Sequence, residues 1–267
     1  MINIHSLNGL YTYFKIPLRY LKYKFSLLQY IKFGSNKISN SLTKLGWMKI
    51  DNKKMDNEDK KIFFEVINFY EKYKNNLKSV KKELHSEEFE LNNNESKYFR
   101  SSITHIFDKD ILTKFANNKY ILSKITDYFG FKPEVSQISC WIDEPSNSKE
   151  SVTQLFHRDP DDLKVIKLFL YLNDVDENNG PFTYVEKSHL SPWKIANLSG
   201  RANDEEIKKI YPKNNIIKFK EPKHTIILAD TKGYHKGTIL KNNKRVLLNV
   251  VYVSKLSYTL KNKINFY

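Results

Sequence analysis

Two histidines and one aspartate in this chain have the types and spacing to hold a metal ion together. His157 and Asp159 stand two residues apart, at the end of an apolar approach from Val152 to Phe156. In a strand, residues two apart point to the same face, so the imidazole and the carboxylate can meet one ion. His235 follows 78 residues later, within Ala229-Asp230-Thr231-Lys232-Gly233-Tyr234-His235-Lys236-Gly237. Two histidines and a carboxylate form the facial set that leaves positions open on iron(II). Arg245 lies ten residues past His235 and opens a strong β-type run. An arginine there can grip a carboxylate with both arms of its fork. A His-x-Asp tripeptide alone is weak, because both residue types are common. The weight comes from all four residues falling in order on predicted strands of one β-rich region.

Those strands are the runs Val135–Ile142, Val165–Leu172, Phe182–Val185, Thr225–Ala229 and Val246–Val253. Irregular loops separate them, with no helix between each pair, which predicts an antiparallel sandwich or barrel and not a doubly wound sheet. Before Pro133 the texture is helical. Ile62, Val66, Phe69, Tyr73 and Leu77 recur every three or four residues, and Asp56, Glu58 and Asp59 suit the start of a helix over Asp56–Leu77. Residues 77–98 read as helix end and surface loop. Short helices are expected near Asp108–Phe115 and Lys119–Phe129, the second closed by Gly130. The expected organisation is a basic extension over residues 1–50, then a domain over 51–267 with a helical part at 51–130 and a β core at 131–254.

Composition limits the function classes. The chain has 267 residues, 40% of them hydrophobic and 14% aromatic, which argues against disorder despite a mean hydropathy of −0.58. The single cysteine, Cys140, excludes an intrachain disulfide or a Cys-rich zinc site and predicts a reducing, cytoplasmic setting. Cys140 itself lies on an apolar strand and reads as a buried small hydrophobe. Residues 1–50 carry Lys15, Arg19, Lys22, Lys24, Lys32, Lys37, Lys44 and Lys49 and no acid, more than half of the +15 net charge. A uniformly basic nucleic-acid binder would look different, and no nucleic-acid motif accompanies the charge. No uncharged apolar stretch reaches the roughly 18 residues of a membrane span, and the N-terminus does not read as a signal peptide. From Leu18, apolar residues recur at Leu21, Phe25, Leu28 and Ile31 with lysines between them. This amphipathic spacing fits a peripheral membrane contact through residues 18–33, or, more simply, a helix docked on the domain with its lysines solvated.

Several motifs resemble the phytanoyl-CoA dioxygenase family. They are His157-Arg158-Asp159-Pro160-Asp161-Asp162-Leu163-Lys164, Lys167-Leu168-Phe169-Leu170-Tyr171-Leu172-Asn173-Asp174-Val175 and Asn179-Gly180-Pro181-Phe182, followed by Lys187-Ser188-His189, Ala229 to Thr238, and Arg245-Val246-Leu247-Leu248-Asn249. The resemblance spans about residues 100–254, with the motifs in the family's order. It implies an α+β protein with a mainly β core, a double-stranded β-helix (jelly roll, cupin-like) carrying N-terminal helices. It also implies an iron(II)- and 2-oxoglutarate-dependent dioxygenase that uses O2 to hydroxylate a small organic substrate, with release of succinate and CO2.

On that resemblance His157, Asp159 and His235 are the iron ligands and Arg245 pairs with the distal carboxylate of 2-oxoglutarate. Thr238 falls about one residue from the family's hydroxyl position beside that arginine. Tyr171 contacts 2-oxoglutarate if the mixed face of Lys167, Phe169 and Tyr171 looks into the barrel, and is otherwise ordinary packing. Gln154, Gln137, Ser139 and Trp141 are candidates to line the pocket, and Asn249 shares the parity of Arg245. His189 matches a structural turn, where Glu186-Lys187 replace the family's usual Pro-Gly. Halogenases of this type replace the carboxylate ligand by a small residue, so Asp159 disfavours halogenation. Substrate choice is assigned to the N-terminal half and to the insert Ser191–Lys220. The alternative is a basic module for a membrane surface or nucleic acid, on a catalytically silent jelly roll.

Overall fold

The computed structural model describes residues 28, 41–75, 100–145, 152–159, 161–190, 201–255, 257, 259–261 and 263–267. Apart from Leu28, the amphipathic segment 18–33 lies outside the described residues. So do residues 191–200 of the insert.

The described elements run α1 (Ser41–Leu45), β1 (Trp47–Ile50), α2 (Asn57–Tyr73), β2 (Arg100–Ser102), α3 (Lys109–Ala116), α4 (Lys119–Phe129) and β3 (Glu134–Asp143). They continue with β4 (Ile166–Tyr171), β5 (Phe182–Val185), α5 (Asp204–Ile210), β6 (Ile216–Phe219), β7 (Ile226–Asp230), β8 (His235–Gly237), β9 (Arg245–Val253) and β10 (Asn265–Phe266). The helices begin where local chemistry dictates. Asp56 caps α2 by accepting from the Asp59 N–H at 2.8 Å, Asn118 caps α4, and Gly130 ends α4 in the left-handed conformation at φ 82°. The buried stripe of α2 is Phe63, Val66, Ile67 and Tyr70, rotated slightly from the expected one. One link between helices has no counterpart in the periodicity. The buried Asp59 carboxylate accepts from the backbone N–H groups of Lys119 and Tyr120, tying the start of α4 to α2.

Two sheets make the β core. The larger has the order β1-β7-β4-β9-β3-β10, with β2 also on β3, and the smaller is β6-β5-β8. Pairing is antiparallel except between β10 and β3. Strand parity divides the large sheet. Ile138, Cys140, Ile142, Leu168, Leu170, Leu248 and Val250 pack against α2, α3 and α4 in one core. Phe169, Tyr171, Ile227, Ala229 and Leu247 face Phe182, Tyr184 and Phe219 of the small sheet in a second core. The mixed face of β4 therefore looks between the sheets, and Cys140 is buried on the helix side.

The expected boundary at residue 50 falls at the end of a sheet strand. β1 pairs in register with β7, and Trp47 packs edge-on to Phe219, so the large sheet begins inside the basic segment. The insert likewise supplies α5 and β6. Lys187 sits at φ 63°, the left-handed region where a glycine would be relaxed. A side chain costs about 1 kcal/mol there. Lys187→Gly is expected to raise stability by about that amount, a shift of a few degrees in thermal midpoint readable by calorimetry. An unchanged or lowered midpoint would show that the turn is not strained.

Candidate metal centre

His157 and His235 are direct antiparallel partners across a bridge that extends the small sheet beyond β8. The His157 N–H donates to the His235 carbonyl at 3.0 Å and the His235 N–H donates back at 3.1 Å, so both side chains leave the sheet on one face. Their ring centroids are 4.3 Å apart. Asp159 follows two residues later, its N–H bonded to the Thr231 carbonyl at 2.9 Å. Nε2 of His157 lies 4.0 Å from Asp159 Oδ1, and Nε2 of His235 lies 3.5 Å from Asp159 Oδ2. One ligand atom from each residue falls within 4.8 Å of the others, the metal-type cluster found among the described residues.

The imidazoles are oriented for ligation by their other nitrogens. His157 Nδ1 meets the Leu155 carbonyl at 2.9 Å, and His235 Nδ1 meets the Gly233 carbonyl at 3.0 Å. A carbonyl only accepts, so each Nδ1 carries the proton and each Nε2 turns a lone pair toward Asp159. Gly233 can supply that carbonyl because it has no side chain: a Cβ would stand 2.1 Å from the Tyr184 hydroxyl.

Electrostatics favour the same protonation states. Burial, reinforced by the neighbouring His235, pushes His157 down to about 3 against the pull of Asp159. Burial also lowers His235, again opposed by Asp159. Burial alone would raise Asp159, but the Lys167 ammonium beside it holds its carboxyl well below the usual range. Lys167 Nζ lies 2.7 Å from Asp159 Oδ2. These shifts predict a pH dependence of folding for the metal-free chain. The unfolded chain protonates its histidines below about pH 6.5, while folded His157 stays neutral down to about 3. Stability attributable to His157 is thus intact above pH 6.5 and falls by about 1.4 kcal/mol per pH unit below it. Urea midpoints at pH 7.0 and 5.5 should show this slope, and His157→Gln should reduce it. Equal slopes in both proteins would contradict a neutral buried His157.

Arg245 opens β9 opposite Asp143, the last residue of β3. Its Nε and Nη2 donate to Asp143 Oδ2 at 3.2 and 2.6 Å, and Nη1 donates to the Gly180 carbonyl. Arg100 holds the other side of the same fully buried carboxylate, with Nε 2.7 Å from Oδ1. Two guanidiniums share one carboxylate, so the trio carries net positive charge. Gly237, two residues past His235, lies against the Arg245 guanidinium, and a Cβ there would sit 3.0 Å from Nη2. Gly237 thereby sets the Arg245 guanidinium against the strand that carries His235.

The remaining candidates divide. Gly237 lies against Arg245, and the hydroxyl of the adjacent Thr238 lies 2.9 Å from that of Thr183. Tyr171 faces inward as the conditional reading required. Its single proton, however, goes to the Phe219 carbonyl at 3.1 Å, and its oxygen accepts the Phe182 N–H at 3.0 Å. This makes it a tie between the sheets. Gln137, Ser139, Trp141 and Asn249 share the inward parity of Arg245 and Lys167. Asn249 Nδ2 donates to Ser139 Oγ at 3.3 Å, and its Oδ1 is buried with no hydrogen-bond partner. Gln154 is buried in the 3-10 turn Val152–Gln154 just before His157. His189 Nε2 meets the Thr43 carbonyl at 3.3 Å, in the turn expected for it. Lys167, Asp143 and Arg201 were not singled out by sequence. Arg201 precedes Ala202, which bridges Phe156, so it stands across from His157.

No family model and no curated protein matches the chain. Solved structures do. The epimerase SnoN from nogalamycin biosynthesis, in complex with Fe3+, alpha ketoglutarate and nogalamycin RO, is 13% identical over 84% of this chain and 83% of its own, with a TM-score of 0.54. AviO1 from Streptomyces viridochromogenes Tue57 is 14% identical over 81% of this chain and 93% of its own, also at 0.54. EctD from S. alaskensis, with bound Fe, is 14% identical over 80% and 74%, at 0.52. The likeness is one of fold. The two facing sheets form the double-stranded β-helix of an α+β protein with a sheet-rich core and few helices.

Proposed function

We propose that this chain is a non-haem iron(II)- and 2-oxoglutarate-dependent dioxygenase of phytanoyl-CoA dioxygenase type, hydroxylating a small organic substrate. The observation that carries the reading is the convergence of two backbone-oriented Nε2 atoms and one ionised carboxylate, with the Arg245 guanidinium lying against Gly237 of the strand that carries His235. The donor set is the one that suits iron(II) with open positions. The order of the sequence motifs supports the family, and the ions and alpha ketoglutarate named for SnoN and EctD support the cofactors.

The fit of the residues to these groups is good. The Nε2 lone pairs have no competing donor in the Nδ1 contacts, Gly237 leaves space against the arginine, and Asn249 Oδ1 is an orphaned acceptor on the inward face. His157, Asp159 and His235 would hold the iron, and Arg245 the distal carboxylate of 2-oxoglutarate. When bound, iron with 2-oxoglutarate and O2 supplies oxidative decarboxylation to succinate and CO2, with one oxygen atom going to a C–H bond of the substrate. The chain contributes orientation and exclusion of water. Asp143 positions the Arg245 fork, Gly233 and Leu155 fix the imidazole tautomers, and Phe169, Phe182 and Leu247 wall the space between the sheets.

Succinate release tests the proposal. With iron(II), 2-oxoglutarate, O2 and a screened set of small metabolites, succinate is expected only when all three cofactors are present. Release that is indifferent to iron, or absent from metal-loaded protein under every condition, would reject it. A separate reading, peripheral membrane contact, rests on the spacing of residues 18–33 alone. It predicts pelleting with anionic liposomes that is lost when Lys22, Lys24 and Lys32 are neutralised.

A further inference from the structure

We propose that Lys167 strengthens the mutual dependence of metal-ion and 2-oxoglutarate binding. The inference rests on the metal-site reading above and concerns how that site fills.

Lys167 is held in the middle of the large sheet, paired with Ala229 on β7 and Val251 on β9, and its side chain enters the space between the sheets. Its Nζ is 2.7 Å from Asp159 Oδ2, in a pair whose side chains are 21% and 12% exposed. A dication ligated by Asp159 therefore shares this one carboxylate with an ammonium group. Asp161 is the other acid whose charge reaches Lys167, and Lys232 reaches both Asp159 and Asp161. Arg201, across the bridge from His157, adds a further cation whose charge is felt at both His157 and Asp159.

Like charges a few ångströms apart in a mostly buried site interact strongly, because little water intervenes to screen them. An ion arriving alone works against Lys167. An ion arriving with a 2-oxo acid brings an anionic partner that offsets the ammonium. Metal alone is thus weakened, and metal with 2-oxoglutarate is not. Linkage makes the effect reciprocal: whatever factor 2-oxoglutarate adds to metal affinity, the metal adds to 2-oxoglutarate affinity.

The test is equilibrium binding of Mn2+ to the full chain, with and without saturating 2-oxoglutarate, followed by the magnetic resonance signal of free Mn2+. In the unsubstituted protein, 2-oxoglutarate is expected to tighten Mn2+ by at least about tenfold. Lys167→Met should bind Mn2+ alone at least about tenfold tighter than the unsubstituted protein. Its added gain from 2-oxoglutarate should then be at least about threefold smaller than in the unsubstituted protein. Lys167→Arg keeps the charge and should keep the dependence, and Lys167→Gln is a second neutral variant if the Met protein does not fold. A neutral variant that binds Mn2+ no tighter, or keeps the original gain, overturns the proposal and leaves Lys167 as a simple support for Asp159. An unsubstituted protein that binds no Mn2+ under either condition removes the metal-site reading itself, and the proposal with it.

Discussion

His235→Ala is expected to weaken metal binding by more than about 100-fold and to abolish 2-oxoglutarate turnover while the fold persists. Altering a group that merely orients a ligand typically costs about 10- to 100-fold in affinity, so removing a ligand should cost more. His235 is the informative choice among the three. Its loss leaves the His157–Leu155 contact and the Asp159–Lys167 pair in place, and its backbone bridge to His157 needs no side chain. Asp159→Ala would instead strand the Lys167 ammonium among buried groups, mixing a folding defect with the loss of a ligand. Metal content after dialysis, read beside thermal unfolding, separates the two effects. A His235→Ala protein that keeps its metal would show that the triad is not the site.

Arg245→Met is expected to raise the KM for 2-oxoglutarate by about 30-fold or more, with Mn2+ affinity in the absence of 2-oxoglutarate little changed. Truncating one partner of a buried, hydrogen-bonded charge pair costs about 2–5 kcal/mol, which corresponds to that range of affinity. A fold cost accompanies it, because the buried Asp143 would lose one of the two guanidiniums that neutralise it. Arg245→Lys preserves charge but loses the fork, and should fall between the two. The diagnostic result is the split: 2-oxoglutarate binding falls and metal binding stays. An unchanged KM for 2-oxoglutarate would mean that Arg245 serves Asp143 alone.

The triad is legible in the sequence because the relevant geometry is local. Strand parity aligns His157 with Asp159, and the residues around His235 mark a short strand after a turn. Arg245 is legible for the same reason, as the first residue of an apolar run. Asp143 is not, since its role follows from the register of β3 on β9, which sets it opposite a residue 102 positions away. Lys167 is visible only as the polar member of a mixed face. Its meaning comes from where the His157–Asp159 segment crosses β4, which no pattern within β4 records. Gly237 carries no side chain to notice, so nothing in the sequence marks its contact with Arg245. Tyr171 shows the reverse case: its inward parity is readable, whereas the two backbone groups that occupy its hydroxyl lie on other strands.

The fold divides in the same way. Long strands and capped helices announce themselves through parity, Asp56 and Gly130. The strands β1 and β6, each interrupted by a lysine, lack the unbroken run that marks the equally short β5. β1 is further masked by the lysines around it, which make residues 1–50 look like an appendage although Trp47 packs between the sheets.

The central claim is that His157, Asp159 and His235 hold one iron(II) that 2-oxoglutarate then completes. Anaerobic equilibrium dialysis of the full chain against iron(II) and 2-oxoglutarate, followed by metal and co-substrate analysis, tests it most directly. The account predicts one iron and one 2-oxoglutarate retained per chain, with both lost in His235→Ala. A folded, unsubstituted chain that retains neither would contradict it.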